Sequence, residues 1–177
     1  MTPAEYVQLK AFARQDGALL SLLWIGALIC YVNGLTNPLM AMTSFLLLVA
    51  SPIYAITRLR HFRDKVREGV ISFLRAYAYM ILIFFYAGLL LAVALYIYFA
   101  FIDKGYLLEA YTQMFNSEEG QQMLNAWGME EQMKIGLSQL AAMRPIDYGL
   151  NMLTVSIMLG CLIGLPVAAI MQRKVVN

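Results

Sequence analysis

The sequence predicts an all-α integral membrane fold: four transmembrane helices, with short amphipathic helices in an external segment between helices three and four. Three stretches contain no Asp, Glu, Lys or Arg at all, at residues 17–57, 76–102 and 148–172. Composition points the same way, with 61% hydrophobic and 14% charged residues and a mean hydropathy of +0.65, whereas ordinary globular domains are about a quarter charged. Residues 1–177 read as a single membrane domain.

The first charge-free stretch, as one helix at about 1.5 Å per residue, would run roughly 60 Å, twice the ~30 Å hydrocarbon core of a bilayer. It must fold back once. The reversal falls at Asn33-Gly34-Leu35-Thr36-Asn37-Pro38, a run of turn formers whose proline suits the first turn of the next helix. This divides the stretch into helices at 18–33 and 38–57, after a polar segment at 1–17. A basic connection at 58–72 leads to the third helix at 73–101, an external segment spans 102–147, and the fourth helix occupies 148–171.

Charge orients the set. Lys10, Arg14, Arg58, Arg60, Arg63, Lys65, Arg67, Arg75, Arg173 and Lys174 flank the helices on one side, ten of the thirteen basic residues. The external segment carries Lys104, Lys134 and Arg144 against Asp103, Glu109, Glu118, Glu119, Glu130, Glu131 and Asp147. The positive-inside rule then puts both termini and the 58–72 connection in the cytoplasm. No cleavable leader is expected, because some seventeen mostly polar residues precede the first apolar run. Cys30 and Cys161 fall at different depths, which argues against a disulfide and for two small residues in helix packing.

Within the membrane, Gly160 with Gly164, and Gly88 with Ala92, form small-xxx-small pairs that let helix backbones approach closely. Pro52 and Pro166 each remove a backbone donor inside an apolar span, so kinks are expected there, with Ser51 placed to satisfy a freed carbonyl. Helix three is aromatic, and Tyr77, Tyr79, Tyr96 and Tyr98 lie near its two ends, where such rings favour the interface. A lipid or prenyl groove is the sharper alternative. Arg75, one turn into that helix, is expected to snorkel to the surface. Topology alone accounts for the basic connection, and the alternative is a site for a phosphate or lipid headgroup, with Arg63, Arg67, Ser72 and Arg75 as its candidate contacts.

In the external segment, Leu107, Leu108, Tyr111, Met114 and Phe115 share one face of a helix. Ser117 can cap a second that ends at Gly128, and Met129, Met133, Leu137 and Leu140 stripe a third that stops before Pro145. Those faces suit a lid on the bundle, a partner surface or the membrane interface. Glu118-Glu119 and Glu130-Glu131 diverge by about 100° as helix neighbours and read as solvated surface.

The chain lacks H-E-x-x-H, C-x-x-C, a phosphate loop and G-x-S-x-G, and its single histidine, His61, has no partner for metal or base chemistry. No catalytic residue, metal or cofactor is expected, and no enzyme activity. With no Asp or Glu in the middle of a span, a proton-coupled pump lacks its parts as well.

Phe62-Arg63-Asp64-Lys65, then Gly69-Val70-Ile71-Ser72-Phe73 opening helix three, and Tyr96-Ile97-Tyr98-Phe99 with Phe101-Ile102-Asp103 closing it, resemble the bacterial four-helix membrane family of domain of unknown function 4199. Members of that family often carry a proline soon after this aspartate, where Lys104-Gly105 stands here. The resemblance brings no established activity. It implies a Gram-negative inner membrane and the company of a polyprenyl-phosphate glycosyltransferase. The expected function is therefore a non-enzymatic accessory subunit in lipid-linked sugar handling, in contact with membrane lipids and with a homo-oligomer as a further partner; no nucleic acid is expected. The alternatives are a small lipid or solute transporter or flippase, favoured by a hydrophilic groove at Arg75, Asn151 or Ser156, and a structural or sensory module.

Overall fold

A computed structural model describes residues 2–173; Met1 and residues 174–177, Lys174 of the basic set among them, lie outside the described residues. The described chain is helical from end to end, and four of its helices are long and apolar enough to cross a membrane. In order these are α1 (Pro3–Gly34), α2 (Pro38–His61), α3 (Phe73–Ile97) and, after the short helices α4 (Tyr106–Asn116), α5 (Glu118–Trp127) and α6 (Glu130–Ala142), α7 (Pro145–Met171).

Helix α1 opens well before the apolar run. Pro3 stands in the first turn, where its missing N–H costs nothing, and Thr2 and Glu5 cap each other's backbone N–H groups in a capping box. At 32 residues α1 is about 48 Å long, so it outruns the ~30 Å hydrocarbon core. Residues 3–17 of the polar segment are thus helical. The chain reverses at residues 35–37, where the Asn37 side chain accepts the Leu39 N–H and Pro38 starts α2. Close beside this turn, a Cβ on Gly34 would lie 2.8 Å from the Ala41 backbone, so only glycine lets the two helices meet so tightly.

Both α2 and α3 end in a wide π turn, at Phe62–Val66 and Tyr98–Ile102. The turns that follow resemble each other: Glu68 and Gly69, then Lys104 and Gly105, all have positive φ. After α3, Asp103 holds the turn together. Its carboxylate accepts the Tyr98 hydroxyl at 2.9 Å and the backbone N–H groups of Gly105 and Leu107 at 3.1 and 3.2 Å, which caps α4. Ser117 caps α5 through the Gly120 N–H, Gly128 ends it with positive φ, and Pro145 opens α7.

The long helices stand in the spatial order α2, α1, α3, α7, with α1 and α3 as the shared middle and α3 packed most heavily on α7. Helices α2 and α7 barely touch. Polar ties join α1 to α2 inside the apolar region: Ser44 donates to the Ala27 carbonyl at 2.9 Å, and Ser51 accepts the Trp24 indole N–H at 2.8 Å. Ser51 also donates to the Leu47 carbonyl at 2.9 Å, one residue before the Leu48 carbonyl that Pro52 deprives of its donor.

The solid core lies in the half that holds the termini. Leu9, Leu20, Leu59, Phe62, Tyr79 and Phe84 are fully buried there, and Phe62 stacks on Tyr79 with ring centroids 5.1 Å apart. On the α3–α7 crossing, a Cβ on Gly88 would lie 2.5 Å from Ser156 Cβ, on Gly160 2.9 Å from Phe84 Cβ, and on Gly164 3.1 Å from Met80 Cβ. Gly149 repeats the device against Ala92, at 2.7 Å from its carbonyl oxygen.

Candidate functional site

Two regions carry unusual chemistry, one at each end of the bundle. At the end that holds the termini, the basic connection folds back onto the first turn of α1. Glu5 divides its carboxylate between two arginines: Arg67 Nη2 reaches one oxygen and Arg75 Nη2 the other, each at 2.8 Å. Arg63 goes elsewhere. Its buried guanidinium donates to Asp64 at 2.7 and 3.1 Å and to the Met171 carbonyl at 3.3 Å. Nearby, Ile71 and Arg173 exchange two backbone hydrogen bonds, so the chain after α7 is pinned beside the entry to α3. Ser72 sits at the N-cap position of α3, exposed and without a capping bond from its side chain. Of the four residues singled out as phosphate or headgroup contacts, Arg67 and Arg75 are therefore brought together, while Arg63 pairs with Asp64 and the Ser72 side chain bonds none of them.

Deeper in the same half is a group that sequence reasoning missed. Asp16 is 1% exposed. It accepts Arg58 Nε at 2.7 Å on one carboxylate oxygen and the Tyr79 hydroxyl on the other, joining α1, α2 and α3. A carboxylate there is tolerated only because both oxygens are occupied. The signal was present in the sequence: Asp16 and Arg58 are the two charges that bound the 17–57 stretch, and a single fold-back of that stretch returns its ends to one depth.

The other end is open. A cavity of about 490 Å³ lies under the short helices, between α1, α3 and α7 on one side and α4 and α6 on the other. Leu107, Tyr111 and Phe115 of α4 and Met133, Leu137 and Leu140 of α6 line it, so most of the two predicted stripes faces inward, while Met114 and Met129 are exposed. Leu28, Leu95, Met152 and Val155 supply the opposite wall, and no Asp, Glu, Lys or Arg lines it. A smaller cavity of about 260 Å³ adjoins it through Leu28, Tyr31, Leu95 and Met152 and reaches Ser44 and Leu48 on α2. The two form one apolar cleft along the gap that α2 and α7 leave between them.

Few bonds hold the cover down. The Tyr31 and Tyr111 hydroxyls hydrogen-bond, tying α1 to α4, and Tyr148, stacked on Phe99 at 3.7 Å between centroids, donates its hydroxyl to the Leu140 carbonyl at 2.9 Å. No residue of α4, α5 or α6 is fully buried.

Arg75, Asn151 and Ser156 do not form one hydrophilic groove. Arg75 is on Glu5, Asn151 borders the apolar cavity, and Ser156 is buried against Gly88 with its hydroxyl on the Met152 carbonyl. Among the described residues, no group of three His, Cys, Asp or Glu side chains is placed to hold a metal ion.

A family model described as a protein of unknown function (DUF4199) matches residues 17–173. No curated protein and no solved structure matches the chain.

Proposed function

We propose that this chain, which belongs to the DUF4199 family of unknown function through its match over residues 17–173, is a non-enzymatic accessory protein that takes the apolar chain of a membrane lipid into the cleft beneath its external helices. The observation that carries this reading is the asymmetry of packing: a filled core at one end and, at the other, an apolar cavity of about 490 Å³ under a loosely tied cover. An apolar cleft holds water poorly, and its lining gains dispersion contacts when an apolar group enters. In a bilayer the available apolar groups are lipid chains. The cleft between α2 and α7 gives them a lateral entry, and its largely apolar lining suits a chain better than a headgroup.

The setting is a bacterial inner membrane with both termini in the cytoplasm, a placement supported by the ten-to-three division of basic residues. The cavity then lies in the outer half of the bilayer. The partner enzyme is a polyprenyl-phosphate glycosyltransferase, for which the support is the family resemblance alone, and the lipid presented to it is the polyprenyl-linked sugar or its carrier.

Gly136 offers the test, because it lines the cavity and a Cβ there would meet nothing within 4 Å. Purified in mild detergent, the native protein and Gly136→Ala should retain a chain-bearing lipid detectable by mass spectrometry after extraction. Gly136→Phe should retain far less. Equal retention in all three proteins, or none in any, overturns the lipid-chain reading, and the proteins that accompany the native form in the same purification report on the glycosyltransferase.

A further inference from the structure

Glu5, Arg67 and Arg75 come from three separate elements and meet on one carboxylate. The arginine side chains are only 24% and 12% exposed, and the Nε–H of each is buried without an acceptor among the described residues. Two guanidinium groups against one carboxylate leave an excess positive charge. Each arginine offers Glu5 a single N–H, so the forked face that suits Arg to two oxygens at once is unused.

Depth says what anion could use it. Asp16 and Arg58 close the charge-free hairpin and mark one edge of the hydrocarbon. On α3 the same edge is marked by Arg75 itself, the last charge before the charge-free stretch 76–102. Arg75 therefore starts near that edge and extends away from the bilayer centre, into the layer of lipid phosphates.

We propose that Glu5 is a displaceable stand-in for the phosphate of an anionic membrane lipid: Arg67 and Arg75 form the headgroup site, and the Glu5 carboxylate closes it. A phosphodiester presents more acceptor oxygens than a carboxylate and can take the Nε–H and Nη–H of one guanidinium together. Glu5, once displaced, is not stranded. Its carboxylate already accepts the Thr2 N–H at 2.9 Å, so it remains the cap of α1 while the arginines change partner. The site rests on the arginine cluster alone and is independent of the cavity at the other end.

The test compares variants in nanodiscs of phosphatidylcholine containing a minor fraction of phosphatidylglycerol, counting the phosphatidylglycerol retained by native mass spectrometry. Glu5→Gln should raise apparent affinity about fivefold, the factor expected for one charge at a membrane surface, and Arg75→Gln should lower it by a similar factor. Lys10→Gln is the control, because Lys10 is an exposed base of α1 with no ion pair among the described residues; it should change little. Should Arg75→Gln fail to fold, Glu5→Gln decides alone. An unchanged count in Glu5→Gln, or an equal loss from Lys10→Gln and Arg75→Gln, overturns the site in favour of diffuse attraction. Binding of inorganic phosphate in pure phosphatidylcholine discs, without preference for the anionic lipid, assigns the arginines to a free anion and overturns the lipid reading.

Discussion

Asp16 shows how much one buried charge can organise. Its carboxylate ties three helices by bonding Arg58 of α2 and Tyr79 of α3, and removing it would leave the Arg58 guanidinium without its counter-charge at the edge of the hydrocarbon. Breaking a buried pair from one side costs about 3–5 kcal/mol, and less here because the Arg58 side chain is 33% exposed. Asp16→Ala is therefore expected to lower the unfolding temperature in detergent more than the double change Asp16→Ala with Arg58→Met does, since both lose the acceptor of Tyr79 and only the double variant strands no charge. A thermal melt of the three proteins checks the order, and a double variant no more stable than Asp16→Ala would mean that Tyr79, not the ion pair, carries the stability. The same scale shows where sequence reasoning about residues stops. Arg75 was legible as a base one turn into a helix, but its partner Glu5 is 70 residues away, and no local spacing names such a pair.

At the scale of elements, the α3–α7 crossing depends on absent side chains. Gly160 and Gly164 let α7 lie against Phe84, Met80 and Tyr77 of α3, and Gly88 of α3 makes room for Ser156 of α7, a mode of packing that suits helices in lipid, where apolar surface alone gives no reason to associate. Gly160→Leu is predicted to destabilise by about 1–3 kcal/mol through overpacking against Phe84, whereas Leu162→Ala, at a position 64% exposed, should cost much less. Thermal unfolding in one detergent compares them, and equal small effects would place Gly160 at a lipid-facing surface. The small-xxx-small spacing made this crossing visible in the sequence, but its partners were not, because spacing along one helix does not say which neighbour it meets. The short helices α4, α5 and α6 were visible in a similar way. Ser117, Gly128 and Pro145 punctuate them as cap and turn chemistry requires, while the cavity their stripes enclose arises only when α4 and α6 are set over α1, α3 and α7. Helix α5 leaves Met123 and Trp127 exposed, which suits it to rest at the membrane interface.

For the whole molecule, the ten-to-three division of basic residues predicts one orientation. With Cys30 and Cys161 replaced by serine, Glu119→Cys should react with a membrane-impermeant maleimide added to intact spheroplasts, and Lys10→Cys should react only after lysis. Reaction of the second and not the first in intact spheroplasts would invert the topology and move the apolar cavity to the inner leaflet.

Hydrocarbon excludes charge from each residue independently, so the four spans, the hairpin at residues 33–38 and the basic and acidic sides could be read one position at a time from the sequence. Meeting is a property of pairs. Which faces of α1, α2 and α3 turn toward one another, and how far α2 and α7 stand apart, depend on helix rotation and crossing, to which every residue of the interface contributes. Only the tertiary structure could therefore decide that Asp16 is buried on Arg58 and Tyr79, that Glu5 closes the Arg67–Arg75 pair, and that the bundle is solid at one end and hollow at the other.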